Sequence, residues 1–270
     1  MTDMFSSTLM FVSPVLIAAI GGMICERAGV RNIALEWLMS VGAMTAAVTH
    51  VLLETKTGFS IPLALVFAAL SGGVLSSFLV VASVTLKVNQ LISGTGINLL
   101  SNGIALFVCQ LVFRMDRSMS YSTGVFPAVW IALAVLAASC FFVYKPPGCL
   151  RFNAQLIRIR CIAILISGLL AGLAGACVVL TQYTQFTVNT INGKGFIALA
   201  AVFVGSKLPL GILGASFLFG LSLSFAKNFL NPGIFHGLPA DVLNMLPYLV
   251  TLLTLAVFSR KDHAPDRFVS

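Results

Sequence analysis

Charge is the first thing this sequence lacks. Only 9% of its 270 residues are Asp, Glu, Lys or Arg, and 59% are hydrophobic. Soluble domains carry about 25% charged residues, and a water-soluble fold so poor in charge would fail to cover its own surface. Soluble enzymes, nucleic-acid modules and disordered tails are excluded. A mean hydropathy of +1.03 points to an all-α polytopic membrane protein in a lipid bilayer. Acids are scarcer still, with 8 Asp and Glu against 16 Lys and Arg. In this setting the excess of positives reads as loop residues that set orientation, not as a nucleic-acid surface.

Chemical motifs are missing too. The six cysteines form no C-x-x-C pair, so no metal site or disulfide framework is expected. Gly193-Lys194-Gly195 has neither the spacing nor the Ser/Thr of a Walker A loop, and there is no H-E-x-x-H or G-x-S-x-G. No catalytic residue and no cofactor is assigned to this chain. Met1 to Ser7 carries no Lys or Arg, so the first apolar run reads as a retained span and not a cleaved signal.

What is present is a series of uncharged runs. They are Met4–Cys25, Asn32–Leu53 (interrupted only by Glu36), Ser60–Leu86, Leu91–Phe113, Val125–Tyr144, Cys161–Thr181, Gly195–Ser206, Leu208–Ala226 and Val242–Ser259. Gly195–Ser206 is only about 18 Å long as a helix, against a hydrocarbon core of about 30 Å. It reads as a re-entrant element or half of a broken helix. Counting it as a crossing, with the C-terminal tail inside, puts Arg27, Arg31, Lys87, Lys145, Arg151, Arg158, Arg160, Lys207 and the tail positives on the inside. Lys56, Arg114, Arg117, Lys194 and Lys227 fall outside. The bias predicts nine crossings, N-terminus out and C-terminus in. Residues 1–260 form a single transmembrane domain, and 261–270 a short cytoplasmic tail.

Pro62–Phe78 aligns with Pro209–Phe225 at six of seventeen positions, and Ile-Ala-Leu runs lie upstream at 33–35 and 197–199. The two copies would cross in opposite directions, as in an inverted-repeat transporter bundle. Ser167–Ala176 places Gly168, Gly172 and Gly175 near one helical face, a pattern for close helix packing.

No acid or base lies at the centre of a run, so an ion relay is not expected. The polar residues inside spans are mostly uncharged. Thr95, Asn98, Asn102 and Gln110 lie in the fourth run, with Asn98 and Asn102 on one helix face. Their amides suit either a path for a neutral polar ligand or bonding between helices. Glu36 needs a partner, and a structural ion pair with Arg31 or Arg27 is expected. The segment 145–160 holds four positives and no acid. It reads either as an anchor or as a docking element.

Glu26–Ala43 (E-R-A-G-V-R-N-I-A-L-E-W-L-M-S-V-G-A), Gly96–Phe107 (G-I-N-L-L-S-N-G-I-A-L-F), Ser167–Ala176 and Gly193–Gly211 (G-K-G-F-I-A-L-A-A-V-F-V-G-S-K-L-P-L-G) occur in that order. Together they resemble the membrane permease subunits of ATP-binding-cassette importers. The branch is the nucleoside and simple-sugar one, related to ribose and branched-chain amino-acid permeases. The resemblance runs from about residue 12 to 258. It implies a bacterial cytoplasmic-membrane protein paired with a second permease subunit, identical or related. Two cytoplasmic ATPase subunits would bind the ATP, and an extracytoplasmic binding protein would deliver the ligand. Leu150, Arg151, Phe152, Asn153, Arg158 and Arg160 would dock the ATPase. The substrate would be a nucleoside, a riboflavin-like ring compound or a simple sugar. An autonomous ion-coupled carrier is the alternative. Two departures from the family stand out: the loop around Leu150–Ala154 is shortened, and Trp37 stands where Gly usually follows the Glu.

Overall fold

The computed structural model describes residues 2–54, 58–86, 88–121, 128–144, 157–229 and 240–258. Among these it is all-helical apart from one isolated bridge between Arg117 and Thr187. The helices are α1 (Thr2–Arg27), α2 (Leu35–Leu53), α3 (Ser60–Val80), α4 (Gln90–Phe113), α5 (Ala128–Tyr144), α6 (Ile157–Gln182), α7 (Lys194–Val204), α8 (Pro209–Phe229) and α9 (Ala240–Phe258). Every expected run becomes a helix, because a backbone in hydrocarbon must satisfy its own polar groups. Among the described residues six helices are long and apolar enough to cross a membrane, and shorter apolar stretches occupy Ala128–Tyr144, Lys194–Val204 and Pro247–Ala256. A π-helical turn, Val81–Thr85, ends α3.

α6 is the axis of the packing and touches α1, α2 and α3. Its glycines permit this. A Cβ on Gly172 would run into the Ala68 carbonyl, one on Gly168 into Ser76, and one on Gly42 of α2 into the Gly172 backbone. The small-residue stripe therefore brings three helices together backbone to backbone, as its spacing predicts.

α1 and α6 run antiparallel. At one end Cys25 Sγ donates to the Ala163 carbonyl (3.4 Å). At the other, Gln182 Nε2 donates to the Met10 carbonyl (3.0 Å). Two non-helical lead-ins then enter the bundle from these opposite ends. After α1, the chain turns at Gly29 (φ 77°) and runs inward. Asn32 Nδ2 donates to Ser167 Oγ (2.8 Å), the eleventh residue of α6's 26. α2 therefore begins near the middle of the bundle. After α6, residues 183–193 run inward from the other end, and α7 begins at Lys194.

α7 has 11 residues, about 16 Å of helix. Beyond it, Arg27 donates from Nε (3.0 Å) and Nη2 (2.7 Å) to the Lys207 carbonyl, and Lys207 Nζ lies 3.1 Å from Glu26. Between Gln182 and Lys207 the chain thus traverses the length of α1, part as lead-in and part as helix. The short run is half of a discontinuous element.

Residues 114–121 brace the second lead-in. Ser118 N–H donates to the Phe186 carbonyl (3.0 Å), and Phe186 N–H returns a bond to Ser118 Oγ (2.8 Å). Tyr121 N–H donates to the Thr184 carbonyl (3.0 Å), and its hydroxyl to the Val179 carbonyl (3.0 Å).

Candidate functional site where two broken helices meet

Glu36 is the second residue of α2, and its carboxylate reaches the start of α7. Oε1 accepts from Gly193 N–H (2.6 Å) and Oε2 from Gly195 N–H (2.7 Å). The first N–H groups of a helix have no partner within it, and the helix dipole makes that end positive. A buried carboxylate can be satisfied there without a cation. Glycine is required on the α7 side. Gly193 sits at φ 79°, where a side chain is strained. A Cβ on Gly195 would lie 2.6 Å from the Glu36 Cα.

The expected pair of Glu36 with Arg31 is therefore corrected. Arg31 remains at the exposed end of the first lead-in, with Nε 4.0 Å from Glu26 Oε1, while α2 carries Glu36 inward. Lys194 also departs from expectation. Counted as a loop positive, it is only 5% exposed. Its Nζ donates to the carbonyls of Thr190 (3.0 Å) and Ile191 (3.2 Å) and to the Tyr183 hydroxyl (3.4 Å). It also lies 5.3 Å from the Tyr183 ring centroid, within cation–π range. The interior thus holds the acid that the sequence marked and a base that it did not, each bonded to backbone.

Asn98 joins this centre from α4. Its Oδ1 accepts from Trp37 N–H (3.1 Å), and its Nδ2 donates to the Ile33 carbonyl (3.0 Å). Both ends of the amide are engaged in holding the start of α2. Tyr248 of α9, which the sequence did not single out, donates from its hydroxyl to the Asn192 carbonyl (2.7 Å). The advance signals for this region were Glu36 inside its run, the Asn98 amide, and a run from Gly195 too short to cross.

Thr95 and Asn102 share the helix face of Asn98, and both are exposed, as is Gln110, whereas Asn98 is half-buried. Thr95 donates to the Ile92 carbonyl (3.2 Å), and Gln110 Nε2 to Asp116 Oδ1 (3.0 Å). Leu150, Arg151, Phe152 and Asn153 lie outside the described residues, as does the 261–270 tail. Arg158 and Arg160 form part of the first turn of α6, Arg158 exposed and Arg160 half-buried.

A model of the branched-chain amino acid transport system permease component matches residues 4–144 and 155–255. The chain belongs to this family. It is a multi-pass permease of the cytoplasmic membrane, and the ATPase of such a system is a separate subunit. The guanosine ABC transporter permease protein NupQ of Bacillus subtilis is 32% identical over 96% of this chain and 92% of its own length. The nucleoside ABC transporter permease protein NupC of Lactococcus lactis is 29% identical over 96% and 93%. A putative glucose ABC transporter permease protein of Haloferax volcanii, TsgC13, is 26% identical over 94% and 90%. No solved structure matches the chain. The family match is interrupted between 144 and 155, around the loop where the resemblance led us to expect a departure.

Proposed function

We propose that this permease forms the translocation path of an ABC importer for a nucleoside or a similar neutral polar ring compound. The observation that carries the substrate class is Glu36. In transporters with discontinuous helices, the positive half-helix N-terminus faces an anionic group of the substrate. Here the chain's own carboxylate fills that position at α7. A substrate carboxylate would meet an occupied site. The two relatives named for guanosine and nucleosides agree with a neutral ligand. Riboflavin and simple sugars share that neutrality and follow as secondary substrates.

The inverted repeat is part of the same reading. Exchanging α1 with α6, α2 with α7, α3 with α8 and α4 with α9 turns several packing pairs into others: α1·α8 into α6·α3, α1·α7 into α6·α2, α2·α3 into α7·α8, and α2·α4 into α7·α9. Helix starts pair Leu35 with Lys194, so the Ile-Ala-Leu runs at 33–35 and 197–199 fall out of register. Nine crossings, N-terminus out and C-terminus in, follow when the end carrying Arg27, Arg31, Lys207, Arg158 and Arg160 faces the cytoplasm. A second permease subunit, two ATPase subunits that hold the ATP, and an extracytoplasmic binding protein complete the importer.

Reconstitution with the partner ATPase and binding protein tests the function. Guanosine should accumulate only with ATP, and excess leucine should not compete. Uptake by this chain alone, abolished by an uncoupler, would overturn the ABC reading in favour of an ion-coupled carrier. Effective competition by leucine would overturn the neutral-ligand reading. Arg158→Glu with Arg160→Glu tests the docking segment. Hydrolysis should persist while ATP-driven uptake falls, and unchanged coupling would remove the role.

A further inference from the structure

Asn98 and Tyr248 do the same thing in the two halves of the molecule. Asn98 Nδ2 donates to the carbonyl of Ile33, two residues before α2 begins. Tyr248 Oη donates to the carbonyl of Asn192, two residues before α7 begins. Each bond comes from a flanking helix, α4 in one case and α9 in the other. Each flanking helix also presses on its lead-in where a glycine makes room. A Cβ on Gly94 would lie 2.9 Å from Ile33 Cβ, and one on Gly193 would lie 2.6 Å from the Tyr248 hydroxyl.

The two lead-ins enter from opposite ends of the α1–α6 pair, and the helices they feed meet at Glu36 and Gly195, each the second residue of its helix. We propose that Asn98 and Tyr248 are paired positioning residues of the transport cycle, each holding shut the lead-in at one end of the path. Glu36 ties the two together by bonding α2 to α7. Releasing one pin loosens its own lead-in, while the opposite lead-in keeps its own side-chain bond. A transporter that opens alternately to its two sides needs two such holds, because each side must close while the other opens. The inference rests on the reading of this chain as a transport subunit.

Val30 and Ile191 report on the two lead-ins, since each is 1% exposed. In the assembled complex, with the native cysteines replaced, Val30→Cys and Ile191→Cys are labelled separately with a maleimide. Asn98→Leu should raise the labelling rate at position 30 about tenfold and leave position 191 near its reference rate; Tyr248→Phe, which removes a single hydroxyl, should do the reverse. Both variants should lower uptake per ATP hydrolysed. A rise at both positions in either variant would mean general loosening and overturn the inference. Unchanged labelling in a complex that takes up its substrate normally would overturn it too. If the reference complex shows no ATP-dependent uptake, the transport reading fails, whereas the labelling pattern still judges the pins.

Discussion

α1 and α4 are both long apolar helices, yet 83% of the α1 span is buried inside the chain and only 18% of the α4 span. The difference lies in what each helix offers a neighbour. Around α6, glycine and alanine let backbones touch, and dispersion contacts in place of a hydrophobic drive hold the helices together. On α4, Gly96 and Gly103 have open space where a Cβ would go, and Leu99, Leu100, Phe107 and Leu111 stay exposed. Thr95, Asn102 and Gln110 form a polar stripe beside them. The first region is a rigid frame. The second is a face left available for other molecules, and its polar fastenings to the frame include Gln90, which accepts from Arg31 N–H, and Asn98.

The hardest blow to that contrast is one glycine in each region. Gly172→Leu drives a side chain into the Ala68 carbonyl and the α3 backbone. It should cost about 3 kcal/mol or more and largely abolish recovery of folded chain in mild detergent. Gly103→Leu should leave the melting temperature of the isolated chain unchanged. Equal damage from both would show that the two regions do not differ.

The frame was largely legible in sequence. The helix runs follow from uncharged stretches, and the Gly168–Gly172 spacing marked the packing face of α6. The centre was legible only in part, for a physical reason. Glu36 stood out as a deep acid, but charge counting looks for a charged partner. Its partners are N–H groups of Gly193 and Gly195, 157 and 159 residues away, and backbone donors leave no mark in composition. Lys194 was counted as a loop positive for the same reason, because carbonyls satisfy it. Asn98 was noticed for its amide, but nothing local indicates that both ends are used on α2.

Glu36 gives the next largest effect. Glu36→Ala leaves two N–H groups without acceptors and should destabilise by about 2–4 kcal/mol. Glu36→Gln keeps one acceptor and should cost about half as much. Arg31→Ala, at an exposed and loose pair, should change melting little. A loss from Arg31→Ala matching that from Glu36→Ala would restore the ion pair that the geometry replaces. Inside the frame, Ser167→Ala removes the acceptor of the Asn32 amide and should cost about 1–2 kcal/mol in thermal unfolding. A neutral result would show that the start of α2 is held from α4 and α7 instead.

The smallest stability change should come with a clear functional one, on the polar stripe of α4. Thr95→Val and Asn102→Leu lie on the exposed side, where substitutions usually shift stability by no more than about 0.5 kcal/mol. If this face lines the path, each variant should still assemble and hydrolyse ATP, while uptake of a neutral ring compound falls several-fold. The reason is electrostatic. A polar ligand leaving water needs replacement donors and acceptors along its route, and a route lined by Val and Leu leaves them unmade. Melting curves and uptake measured on the same preparations separate the possibilities. Loss of uptake without loss of stability assigns the stripe to the path. Loss of assembly with normal uptake in the remaining complexes assigns it to the contact with the second permease subunit. In that case this stretch of α4 is an interface, and the path lies deeper in the bundle, nearer Glu36.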